Sequence, residues 1–108
     1  MQPGHIACDL AALTASERSR RAELADSLRA NVVGIVPLAD GFELRLHAPA
    51  FATLPVAEWI VLERRCCPFL RFAVVLEPDE DWVRIALTGG PGVKEFLATA
   101  GLAAPASC

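Results

Sequence analysis

The stretch WIVLERRCCPF, from Trp59 to Phe69, contains the end of a predicted helix and two adjacent cysteines. Pro68 disfavours helical geometry at the residue before it, so we expect the helix to end near Cys66 and Cys67 to be extended. Helical spacing then gathers five residues on one inward face, namely Val56, Trp59, Leu62, Glu63 and Cys66. This stretch therefore predicts a carboxylate and a vicinal thiol pair at one end of a buried helix face.

The segments on either side of this helix predict two hairpins and two further helices. Alternating or β-branched runs predict the strands, and Ala39-Asp40-Gly41 and Pro78-Asp79-Glu80-Asp81 predict the turns. The expected strands are Val32–Val36, Phe42–His47, Phe69–Leu76 and Trp82–Leu87, and the expected helices are Cys8–Ala30, Leu54–Cys66 and Val93–Ala100.

The resulting order, α-β-β-α-β-β-α, predicts an α+β fold. Consecutive hairpins favour an antiparallel sheet of about four strands, with the helices packed on one face. A chain of 108 residues fits one domain, which we assign to residues 1–100. The Ala/Pro/Ser-rich segment 101–108 is predicted to be a flexible tail.

The first helix carries charges within its apolar stripe. Thr14 and Glu17 form a capping-box pattern that marks either the helix start or a restart after a short turn at residues 9–13. Glu17 and Arg21 lie four residues apart, in the favourable order for an ion pair. They fall inside the stripe of Leu10, Leu13, Leu24 and Leu28, which indicates either an exposed first half or a buried polar site. Arg21 is a natural partner for Glu63 on the second helix.

Composition argues against several classes of function and of location. The formal net charge is −3, and the arginines are interleaved with acids, so we expect no binding to nucleic acid or to an anionic membrane. Without a secretory signal or a long apolar run, the cytoplasm is the expected compartment. Cysteines stay mostly reduced there, so Cys8, Cys66, Cys67 and Cys108 are interpreted as thiols rather than as a disulfide framework.

Vicinal thiols suit the capture of soft metal or metalloid ions such as Hg(II), As(III) or Cu(I). We therefore predict Cys66 and Cys67 as ligands, with Cys8 as a third if the start of the first helix packs against the end of the second. His5 would complete a three-cysteine, one-histidine zinc set, but the ligand spacing departs from the usual pattern, so zinc is less favoured. Glu63, Arg21 and Glu17 are predicted as the polar groups that surround and orient the thiols.

Two other functions fit the same residues. The protein could cycle a Cys66–Cys67 disulfide as a thiol-redox protein. It could also be a non-catalytic ligand- or protein-binding module in which these cysteines only fill the core. No catalytic residue is identified, because His47 is predicted to face outward and the segment Thr88–Lys94 lacks the ending of a phosphate-binding loop. The sequence therefore leans towards a non-enzymatic function.

The motif E-x-x-C-C-P-F, at Glu63–Phe69, resembles a family of small uncharacterised bacterial proteins associated with mercury- or metal-responsive genes. Their wider pattern resembles Trp59–Phe72 and Leu87–Leu97, and the upstream Cys8, Glu17 and Arg21 fit it as well. The resemblance implies a thiol site at these residues, and it implies no established reaction.

Overall fold

The computed structural model describes residues 8–47 and 53–101 and shows the predicted α+β order. His5, Cys108 and tail residues 102–108 lie outside the described residues. A 3-10 helix spans Leu10–Ala12. The helices and strands that follow are α1 (Ala15–Ala30), β1 (Val32–Leu38), β2 (Gly41–His47), α2 (Thr53–Cys66), β3 (Arg71–Leu76), β4 (Trp82–Thr88) and α3 (Val93–Phe96), which continues as a π-helical turn (Leu97–Gly101).

The capping box at Thr14 marks a helix start, so α1 does not extend back to Cys8. The Thr14 hydroxyl accepts a hydrogen bond from the Glu17 backbone N–H at 3.2 Å, and the Glu17 carboxylate accepts one from the Thr14 N–H at 2.8 Å. Two of the N–H groups at the start of α1 are thereby satisfied. The residues before Thr14 are a separate short segment, and the predicted extension of the first helix back to Cys8 is wrong.

The four strands form one antiparallel sheet in the order β1-β2-β4-β3, so β2 and β4 are central. Leu44 lies opposite Ile85, and Leu46 lies opposite Val83, all four being at most 1% exposed. Alternation along both central strands directs these apolar side chains to the face that the helices cover. The predicted sheet of two hairpins with helices on one face is confirmed.

The core joins this sheet face to the inner faces of α1 and α2. Leu24, Ala25 and Leu28 come from α1, and Val56 and Trp59 come from α2. Leu10 was expected to share the buried stripe of α1, but it is 38% exposed because it belongs to the 3-10 helix rather than to α1. The inward face predicted for α2 is buried in full.

The two edge strands of the sheet differ. β1 carries Pro37 and a register irregularity between Val32 and Gly34, both of which disfavour pairing with another strand. β3 is regularly paired with β4 along its whole length and exposes several apolar residues. At the far end of the central pair, a Cβ at Gly41 would collide with the backbone carbonyl oxygen of Leu87, so only glycine fits there.

Candidate metal centre

The end of α2 determines where the vicinal cysteines lie. Cys66 is the last residue of α2, and Cys67 closes the final turn by donating its backbone N–H to the Glu63 carbonyl oxygen at 2.6 Å. Pro68 follows, and the chain turns towards β3 through a hydrogen bond from the Leu70 N–H to the Cys67 carbonyl at 3.2 Å. Both cysteines are buried, at 0% and 1% exposure. The proline stop thus leaves two thiol side chains inside the protein.

The segment before α1 brings Cys8 to the same place. The backbone N–H of Asp9 donates to the Cys66 carbonyl oxygen at 2.7 Å, and the Asp9 side chain caps the 3-10 helix by accepting from the Ala11 N–H. Arg18 donates to the carbonyl oxygen of Leu13 at 2.7 Å, and so holds this segment against α1. These bonds place Cys8 beside the end of α2. The condition under which Cys8 was predicted as a third ligand is therefore met.

Three sulfur atoms therefore meet in one cluster. The Sγ atoms of Cys8, Cys66 and Cys67 all lie within 4.8 Å of one another, with Cys8 partly buried and the other two buried. The Cys66 and Cys67 sulfurs are 3.7 Å apart. Three sulfur donors at this separation could hold a metal ion, and we call this group the cysteine cluster.

The cluster also differs from the expected set of separate thiols. The sulfurs of Cys8 and Cys67 are at disulfide distance, with their Cα atoms 4.8 Å apart and 59 positions apart in sequence. The oxidisable pair in the structure is thus Cys8–Cys67, whereas the sequence suggested Cys66–Cys67. The physical reason is tertiary: the Asp9–Cys66 backbone bond places Cys8 directly beside Cys67.

Behind the sulfurs lies the ion pair of Arg21 and Glu63. Arg21 Nη2 is 2.6 Å from Glu63 Oε2, and the two side chains are 3% and 4% exposed. The other carboxylate oxygen, Oε1, lies 3.5 Å from the Cys67 sulfur and 3.8 Å from the Cys66 sulfur. The predicted partnership between Arg21 and Glu63 is present, and it contacts the cysteine cluster directly.

This environment shifts the acidity of two buried groups. Burial raises the pKa of Glu63 above its ordinary value, and the charge of Arg21 and its hydrogen bond oppose that shift. Burial, followed by the negative charge of Glu63, raises the pKa of the Cys66 thiol to about 11, and Arg21 again acts in the opposite direction. Cys66 therefore holds its proton at neutral pH until an ion or another reaction removes it.

Glu17 does not pair with Arg21 in the structure. It forms an ion pair with Arg65, and the hydrogen bond from the Thr14 N–H, followed by that from Arg65, lowers the pKa of the Glu17 carboxyl. Arg65 also donates to the carbonyl oxygen of Ala12 at 3.2 Å. Glu17 therefore stabilises the approach of the Cys8 segment to α2, and Arg21 is left to pair with Glu63.

Sequence reasoning missed the contributions of Arg65, Arg18 and Asp9. Arg65 was correctly expected to point away from the core, but the acceptors of both arginines include backbone carbonyls of the 3-10 segment, which no side-chain pattern reveals. For Asp9 a signal existed, since aspartate is a preferred N-cap residue directly before a short helix. His5, the possible fourth ligand, lies outside the described residues.

Comparisons with known proteins identified no relative of this chain. Within residues 8–47 and 53–101, no helix has both the length and the apolar character that crossing a bilayer demands. The sequence matches no protein-family model, and no curated protein or solved structure gives a significant match to the chain.

Proposed function

We propose that this protein binds a thiophilic metal or metalloid ion, of the Hg(II), As(III) or Cu(I) class, through Cys8, Cys66 and Cys67. The observation that carries the proposal is the convergence of three sulfur atoms, all within 4.8 Å of one another, from two separate segments. Soft thiolate ligands favour these ions over oxygen-preferring metals. The resemblance of the E-x-x-C-C-P-F motif to proteins near metal-responsive genes supports the same class of ion.

Zinc is a weaker candidate for the same cluster. Structural zinc sites almost always have four ligands in tetrahedral geometry, and the cluster offers three sulfurs among the described residues. Two-coordinate and three-coordinate thiolate geometries suit the softer ions better. The proposed order of affinity therefore places zinc below Hg(II), As(III) and Cu(I).

The buried ion pair has a defined part in this proposal. Each cysteine that ligates the ion does so as a thiolate, so each thiol releases its proton on binding. The positive charge of Arg21 favours thiolate at Cys66, while Glu63 aligns the guanidinium and places an oxygen within 4 Å of two sulfurs. We assign Arg21 and Glu63 as positioning residues: their contacts orient the sulfurs, and their opposite charges limit the net charge around the cluster.

Ion binding and the Cys8–Cys67 disulfide exclude one another, because both use the same sulfurs. The proposed function accordingly requires a reducing compartment such as the cytoplasm, where thiols persist. Oxidation would remove two of the three ligands, and reduction would restore them.

A thiol-redox function is the second candidate, favoured by the disulfide distance between Cys8 and Cys67. In that function the two thiols lose two electrons and two protons to a partner disulfide, such as oxidised glutathione, which is reduced to two thiols. Cys66 would have no required part in this exchange. The metal-binding function therefore requires Cys66, whereas the redox function does not.

Native mass spectrometry of the reduced protein separates the two. We expect a stoichiometric adduct with Hg(II), As(III) or Cu(I), weakened by Cys66→Ser and lost in Cys66→Ser/Cys67→Ser. Cys108→Ser is the matched control for loss of one thiol and should keep the adduct. If no ion binds, and Cys66→Ser leaves the reduction potential of the Cys8–Cys67 pair unchanged, the metal proposal is wrong and the redox candidate stands.

A further inference from the structure

β3 combines an open sheet edge with exposed apolar side chains. It is the last strand in the order β1-β2-β4-β3, so one of its sides has no neighbouring strand among the described residues. Val74, Val75 and Leu76 are 41%, 37% and 57% exposed. An edge strand of this kind can accept another strand, and proteins usually protect such edges with proline, bulges or inward charges. The described part of β3 carries none of these devices, in contrast to β1.

A groove runs along the same edge on the helix side of the sheet. Ile60 and Arg64 of α2 line it together with Leu70, Arg71, Phe72 and Val74. The ring of Phe72, one of the lining residues, packs edge-on against Trp59 at a centroid distance of 5.9 Å. The groove is therefore lined by four apolar side chains and by two arginines, Arg64 and Arg71, of which Arg71 is the first residue of β3.

The opposite end of β3 carries the opposite charge. Glu77 follows the strand directly, and Asp79 and Asp81 lie exposed in the loop that leads to β4. Within the residues that the structure describes, neither Arg71 nor Glu77 forms an ion pair. The edge thus has a basic beginning, an apolar centre and an acidic end.

This charge order determines which partner strand fits. Antiparallel pairing of β3 with β3 of a second copy, centred on Val74, places Arg71 opposite the partner copy's Glu77, twice across the two-fold axis. The same register places Phe72 opposite Leu76 and Ala73 opposite Val75. A parallel arrangement would instead bring like charges together at both ends. The edge is therefore complementary to itself in one orientation.

We propose that the protein forms a two-fold homodimer through antiparallel pairing of β3, which makes one eight-stranded sheet from two four-stranded sheets. Val74 and Leu76 become buried between the two copies. The acidic loop that follows β3 in each copy then lies beside Arg71 of the other. The cysteine cluster takes no part in this contact, so the dimer and the metal proposal are independent.

A charge-swap series, measured by analytical ultracentrifugation of the reduced full chain, tests the dimer. We expect the wild-type protein to sediment at about twice the 11.5 kDa of one chain at high micromolar concentration, and to dissociate on dilution. Arg71→Glu and Glu77→Arg each turn two attractive pairs into two repulsive ones, and should raise the dimer Kd about tenfold or more. The double variant Arg71→Glu/Glu77→Arg restores both pairs and should recover the dimer.

Arg29→Glu, on the exposed face of α1, makes the same charge change away from the edge and is the matched control. Val74→Lys places a charge at the two-fold axis and should give a monomer. A wild-type protein that is monomeric throughout the concentration series would overturn the proposal. So would a dimer that is equally stable in Arg71→Glu, Glu77→Arg and Val74→Lys, because its interface would lie elsewhere.

Discussion

Arg21 and Glu63 form an ion pair across α1 and α2, with 2.6 Å between Nη2 and Oε2 and side-chain exposures of only 3% and 4%. Two charges removed from water depend on each other, because either one alone would be left uncompensated in the core. The same carboxylate lies within 4 Å of two sulfur atoms. The pair therefore links the packing of the two helices to the environment of the cysteine cluster.

Replacing one member of this pair should destabilise the protein more than replacing both members with apolar residues. Glu63→Leu or Arg21→Met should each lower the free energy of unfolding by about 3 kcal/mol, whereas the double variant Arg21→Met/Glu63→Leu should lower it by less than the sum of these two losses. Urea unfolding measures all three variants. Arg20–Glu58 joins the same two helices at the surface, and Glu58→Gln is the matched control with a much smaller loss. Additive losses in the double variant would contradict the mutual dependence of the buried charges.

Alkylation should report the raised pKa of Cys66. In a Cys8→Ser/Cys67→Ser/Cys108→Ser background, a pKa of about 11 predicts slow reaction with iodoacetamide at neutral pH. The rate should rise about tenfold per pH unit below that value, because thiolate is the reactive form. Adding Glu63→Gln removes the negative charge that helps to raise the pKa, so the reaction should be faster, while Glu58→Gln should leave it unchanged. Circular dichroism checks that each variant is folded, and equal rates with and without Glu63→Gln would count against this electrostatic account.

Oxidation should stabilise the fold. A disulfide between Cys8 and Cys67 closes a loop across 59 positions, for which loop-closure entropy gives about 4 kcal/mol. We expect the oxidised protein to unfold at a higher urea concentration than the reduced protein. Cys8→Ser should abolish the difference, and Cys66→Ser should retain it. A difference that depends on Cys66 and not on Cys8 would show that the vicinal pair forms the disulfide instead.

The Glu17 carboxylate should contribute to stability in a pH-dependent way. Its pKa is lowered in the folded protein by the Thr14 N–H and by Arg65, so its contribution is present above the pKa of the unfolded chain. The contribution is lost as the pH falls through the lower folded value. The difference in free energy of unfolding between wild type and Glu17→Gln should therefore become smaller as the pH falls. Unfolding curves between neutral and acidic pH provide the measurement.

Much of the fold follows from local signals. Alternation in Phe42–His47, the stop at Pro68 and the capping box at Thr14 each describe a few neighbouring residues, and the structure confirms all three. The helical period also places Glu63 inward, from which a buried cationic partner such as Arg21 follows. These features need no knowledge of how the helices and strands pack.

The features that sequence reasoning missed depend on packing between distant segments. Arg21 lies four residues after Glu17, yet Glu17 pairs with Arg65 on the facing helix. Arg21 is buried and pairs with Glu63 instead. The Cys8–Cys67 proximity rests on a backbone bond from Asp9 to Cys66, which no side-chain pattern encodes. Leu10 has the right helical phase for the core but belongs to a different helix.

The 59 positions between Cys8 and Cys67 have a consequence for synthesis of the chain. Cys8 leaves the ribosome before Cys66 and Cys67, and these two sulfur neighbours follow only after β1, β2 and α2 have been made. A nascent or partly unfolded chain can offer only two adjacent thiols, and the third joins them once α1 has docked on α2. Occupancy by a three-coordinate ion would then signal that both helices have reached their final positions.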